Sequence, residues 1–82
     1  MSTKLTNKEI AKGIVDTFAT FEDETEYTTC IIPEQALGSV QTFVAKNKSA
    51  ASKRAIEHFE SELESGNLVL SDTWAEDNLK KA

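Results

Sequence analysis

His58 is the only histidine of the chain, and Glu62 follows it four residues later, so on a helix the imidazole and the carboxylate share one face. That pair can orient an imidazole or offer two ligands to a metal, but a zinc site takes three or four. Glu57 and Glu60 are near enough in sequence to be recruited, yet a histidine among surface glutamates is the ordinary make-up of an acidic helix. The single cysteine, Cys30, would pair with His58 as nucleophile and base. Neither residue lies in a recognisable nucleophile motif, and a chain with three glycines holds no oxyanion or phosphate loop. Cys30, between Thr29 and Ile31, reads as a small buried apolar residue. No catalytic residue, cofactor or metal is expected.

A second constellation is basic. Lys46, Lys48, Lys53 and Arg54 fall within residues 46–54, a stretch without an acid, and Ser49 and Ser52 add hydroxyls just before a predicted helix. A helix N-terminus with such donors can hold an anion. The plainer reading is a turn and a cap, and no aromatic residue is interleaved with the bases to stack a nucleic-acid base. Tyr27 and Trp74 are the large amphipathic aromatics; each is read as a core anchor, and whichever is exposed becomes the best interface hot spot.

The acids are more telling. With nine Lys+Arg against fourteen Asp+Glu, the chain carries a net charge of -5. Residues 22–34 hold five acids (Glu22, Asp23, Glu24, Glu26, Glu34) and residues 57–77 hold seven (Glu57, Glu60, Glu62, Glu64, Asp72, Glu76, Asp77), neither stretch containing a lysine or arginine. Glu57, Glu60 and Glu64 line one side of the third predicted helix, where like charges at this spacing cost a few tenths of a kcal/mol per pair. A solvated helix face accounts for them; a surface that docks on a basic protein accounts for them too.

Composition sets the remaining bounds. Eighty-two residues suit one small domain, residues 1–82, with 39 % apolar residues as a thin core. No stretch approaches the roughly 18 consecutive apolar residues of a membrane span. Met1-Ser2-Thr3-Lys4-Leu5 lacks the apolar region of a secretory signal, so a cytoplasmic location is expected. One cysteine makes no internal disulfide. Clustered positive charge is missing overall, so direct nucleic-acid binding is not expected.

The elements that must position these residues follow from periodicity. Thr6-Asn7-Lys8-Glu9 has the form of a capping box, and Ile10, Ile14, Phe18 and Phe21 then recur at helical spacing, predicting a helix over 7–21. Glu22–Tyr27 reads as a loop. Tyr27–Ile32, β-branched and closed by Pro33, predicts a strand. Ala36, Leu37, Val40, Phe43 and Val44 predict a second helix over 34–46. Ser49 or Ser52 is expected to cap a third, over 52–64, ended by Gly66. Asn67–Leu70 reads as a second short strand, and Ser71 or Asp72 caps a last helix. The expected fold is therefore mainly α: a bundle of about four helices, with at most one two-stranded ribbon pairing 27–32 with 67–70.

A strand at 27–32, a helix at 34–46, a turn at 47–51 and a helix at 52–64 resembles the ribbon-helix-helix arrangement of small repressors and antitoxins, over about half of the chain. In that family paired strands of a dimer enter the DNA major groove with polar or basic side chains. Here the strand offers Thr28 and Cys30, or Tyr27 and Thr29, without lysine or arginine, Asn47-Lys48 stands in place of the glycine turn, and a further helix precedes it. No DNA-contact residue is carried over.

The leading expectation is a non-enzymatic, phage- or plasmid-type regulator or inhibitor that binds a protein partner with a basic surface. Its contacts would be Glu22, Asp23, Glu24, Glu26, Glu57, Glu60 and Glu64. A ribbon-helix-helix DNA regulator and a DNA mimic are the alternatives, and a homodimer is compatible with each.

Overall fold

The computed structural model of the protein describes residues 5–79. Helix α1 (Asn7–Phe18) starts where the capping box places it. The Glu9 amide donates to Thr6 Oγ1 at 3.1 Å and the Thr6 amide donates to Glu9 Oε1 at 2.8 Å. Ile10, Ala11, Ile14 and Val15 form its buried face. The helix is three residues shorter than periodicity predicts. Ala19 turns extended, and β-branched Thr20 opens strand β1 (Thr20–Asp23).

Strand β2 (Thr28–Ile32) was expected, but its partners were not. It is the central strand of a three-stranded antiparallel sheet, flanked by β1 and by β3 (Gln41–Ala45). Phe21 pairs with Cys30, which in turn pairs with Phe43. The ribbon of 27–32 with 67–70 is thereby corrected: the edges of β2 are taken by 20–23 and 41–45. Residues 67–70 turn Leu68 and Leu70 toward the core and leave Val69 82 % exposed, with no strand partner among the described residues.

The expected helix over 34–46 is also corrected. After Pro33, helix α2 (Glu34–Leu37) makes a single turn and stops at Gly38, whose φ of 87° is left-handed. Chain direction then changes into β3, where Gln41, Phe43 and Ala45 lean inward and Thr42 and Val44 stay exposed. Phe43 and Val44 fitted a strand as well as the helical period, and Gly38 decided between them. The ribbon-helix-helix arrangement is absent from the described residues for this reason: its first helix is here a turn and a strand.

Helix α3 (Lys48–Ser65) begins earlier than expected because Asn47 is its cap, accepting from the Ala50 amide at 2.8 Å. It ends at Gly66, φ 85°. Ala51, Ala55 and Phe59 are buried, and the two alanines let α1 come close beside them. Helix α3 lies across β2 and β3. Helix α4 (Asp72–Asn78), capped by Ser71, folds back on α1: Trp74 stacks on Phe18 at 6.3 Å between centroids, and Leu79 fills the space beside Gly13. One core results, of all four helices with the inner face of the sheet, α2 contributing Ala36 and Leu37, so the domain is mixed α/β and not a helical bundle. Among the described residues no helix is long and apolar enough to cross a membrane.

Candidate functional site: the acidic hairpin

Four of the five acids of the first block lie on the hairpin of β1 and β2, and the fifth, Glu34, is in the single turn of α2. Asp23 and Thr28 form the last pair of the ladder, leaving Glu24-Thr25-Glu26-Tyr27 as the loop. The Glu24 amide donates to the Tyr27 carbonyl at 2.8 Å, which closes it. Glu22 projects from the open face of the sheet, while Asp23 accepts a 2.8 Å hydrogen bond from Thr28 Oγ1 on the inner side. All four predicted contacts, Glu22, Asp23, Glu24 and Glu26, are exposed, and Tyr27 stands among them 45 % exposed. Glu22, Glu24 and Glu26 enter no ion pair among the described residues.

The two blocks of acids do not merge. Because Ala45 pairs with Thr28, β3 ends beside the hairpin and α3 starts there. Helix α3 then runs back over the sheet, so Glu64 lies about 24 Å along the axis from Lys48 at 1.5 Å per residue. Glu57 and Glu60 face a groove between α1 and α3 whose walls also carry Lys8, Lys12, Lys48 and Lys53. There the expected row of carboxylates is a mixed surface. Lys12 is already paired with Asp16 at 3.0 Å.

The basic stretch also lies closer to the acids than its place in the sequence implies. Lys48 Nζ sits 5.0 Å from the centroid of Phe21, on β1, so the bases at the start of α3 adjoin the acidic hairpin. Lys8 and Lys12 escaped the sequence reading; their i, i+4 spacing on the polar side of α1 was the signal.

The remaining candidates have structural employment. The His58 ring packs at 5.2 Å on Phe43 and at 5.3 Å on Phe59. Glu62 accepts from Asn67 Nδ2 at 3.3 Å and its carbonyl accepts from the Leu68 amide, tying down the end of α3. Cys30 is fully buried, and desolvation pushes its thiol above the ordinary value of 9.0. Among the described residues no three His, Cys, Asp or Glu side chains converge as metal ligands do. Trp74 is half-buried on Phe18, so of the two large aromatics Tyr27 is the one offered to solvent. Comparison with protein-family models, with curated proteins and with solved structures finds no match for this chain.

Proposed function

We propose that the protein is a non-catalytic binding module that regulates or inhibits a protein partner by docking the β1–β2 hairpin on a basic surface. Tyr27 is the anchor; Glu22, Asp23, Glu24 and Glu26 form the charged rim. The observation that carries this reading is the exposure of Tyr27 on a loop closed by its own hydrogen bond, with Glu24 and Glu26 beside it on the loop and Glu22 and Asp23 exposed at the end of β1. Aromatic residues dominate the free energy of interfaces. Rim charges of one sign speed encounter and set orientation, and a loop already ordered in the free protein loses little entropy on binding. Glu57 and Glu60 share their groove with four lysines that offset their charge, so the acids of α3 are a secondary contribution to this surface.

The test compares immobilised wild-type protein with Tyr27→Ala, with Glu24→Lys/Glu26→Lys, and with Glu57→Lys/Glu60→Lys/Glu64→Lys, each exposed to nuclease-treated bacterial lysate. The expected result is a protein held in stoichiometric amount by the wild type, released by salt, lost from both hairpin variants and retained in part by the α3 variant. Equal retention by the hairpin variants overturns the proposal, as does a partner that disappears with nuclease.

A further inference from the structure

The two outer strands of the sheet differ in how they are guarded. Strand β1 ends in Glu22 and Asp23, and charges on an edge strand deter pairing with another chain. Strand β3 is Gln41-Thr42-Phe43-Val44-Ala45, without a charge or a proline. Its outer side has no strand partner, and no backbone hydrogen bond from a turn or loop reaches it among the described residues. Val40 and Val44 are 61 % and 48 % exposed beside it.

We infer that β3 pairs antiparallel with β3 of a second copy, giving a two-fold dimer with a continuous six-stranded sheet. With Phe43 at the axis, Thr42 of each copy faces Val44 of the other on the open side, and Gln41 faces Ala45 on the inner side. The choice of a second copy rests on charge. His58 lies on Phe43, so α3 passes the axis at His58, and the two-fold sets the two α3 helices antiparallel. Arg54 and Glu62 stand four residues before and four residues after His58, on the flank of the helix that His58 marks. Arg54 of one copy therefore meets Glu62 of the other, twice per dimer. Arg54 is exposed and enters no ion pair among the described residues. Glu62 uses one carboxylate oxygen, Oε2, on Asn67, which leaves Oε1 to accept. A two-fold contact of this kind closes on itself and does not propagate into a fibre.

The full chain is to be measured by sedimentation equilibrium, with Arg54→Glu, Arg54→Glu/Glu62→Lys and Val44→Lys beside the wild type and far-UV circular dichroism confirming that each is folded. The wild type is expected to be a dimer. Arg54→Glu replaces two attractive contacts by two repulsive ones and raises the dissociation constant about tenfold; the double exchange restores it. Val44→Lys weakens the dimer through the strand, independently of α3. A wild type that stays monomeric up to about 1 mM overturns the inference. So does an unchanged dimer in either single variant, or a double exchange that fails to restore association.

Discussion

Thr28 Oγ1 donates to Asp23 Oδ1 at 2.8 Å across the last pair of the β1–β2 hairpin. Thr28 is 4 % exposed, the one buried polar residue among those described, and its acceptor belongs to an exposed residue. The two ends of this bond thus have unequal alternatives. If Thr28 is removed, the Asp23 carboxylate can turn to water; if Asp23 is removed, a buried hydroxyl is left without a partner. Asp23→Ala is expected to cost about 2 kcal/mol and Thr28→Val less than about 1 kcal/mol. The double variant should be more stable than Asp23→Ala alone. Urea unfolding of the three variants reads the difference; equal costs for the two single changes would show that the bond does not govern the hairpin.

Cys30 makes an alkaline prediction. Burial disfavours its thiolate, so the folded value lies above the ordinary 9.0 and the folded state holds the proton more tightly than the unfolded one. The contribution of this group is fully present below the unfolded value and is lost as pH rises through the folded one. Stability of the wild type should therefore fall above pH 9.0 more steeply than that of Cys30→Ala, measured as urea midpoints against pH. Alkylation of the native thiol should be slow at neutral pH and speed up on unfolding, and prompt labelling of folded protein would contradict the burial.

How much of this was legible before the structure depends on whether a local signal had a competitor. Thr6 and Glu9 had none, and α1 begins where they predict. The β-branched run ending at Pro33 likewise gave β2 within one residue. Ala36, Leu37, Val40, Phe43 and Val44 fit a helix at 3.6 residues per turn, but Phe43 and Val44 also fit alternating faces of a strand, and only Gly38 distinguishes the two. Its weight as a stop signal was missed. Residues 20–23 escaped for a different reason: Phe21 falls on the stripe of α1, and what draws it into a strand is pairing with Cys30, a tertiary contact. The exposed acids were legible as a block, but the loop read over Glu22–Tyr27 is shorter than that: Glu24 and Glu26 lie on it, while Glu22 and Asp23 belong to β1 because they pair with Thr29 and Thr28. That Glu57 and Glu60 face lysines of α1 was not, because it depends on how two helices pack.

Trp74 offers an intrinsic reporter of α4. Its ring stacks on Phe18, and Leu79 reaches Gly13 so closely that a Cβ there would lie 3.0 Å from Leu79 Cδ1. Trp74→Ala is expected to destabilise the protein by about 2 kcal/mol, less than a fully buried tryptophan would. Gly13→Ala improves helix propensity by up to about 1 kcal/mol but pushes on Leu79, so its effect should appear at α4 first. A red-shifted Trp74 fluorescence in Gly13→Ala, with the unfolding midpoint little changed, is the expected signature. An unshifted spectrum would mean that Leu79 accommodates the methyl group without moving the helix.

Gly38 holds the boundary between helix and strand, and substitution there tests both backbone strain and the competing pattern. At φ 87° an alanine is strained by about 1 kcal/mol or more, whereas asparagine visits this region more readily. Nothing lies within 4 Å of the position a Cβ would occupy, so packing does not confound the comparison. Alanine also removes the stop that separates α2 from the apolar residues of β3, and so strengthens the helix that 34–46 would otherwise form. Gly38→Ala should lower stability with a gain of helical signal in the partly unfolded range of urea, and Gly38→Asn should recover most of the loss. If alanine and asparagine behave alike, the positive φ is not what ends α2, and the strand is held instead by its pairing with β2 along Gln41–Ala45.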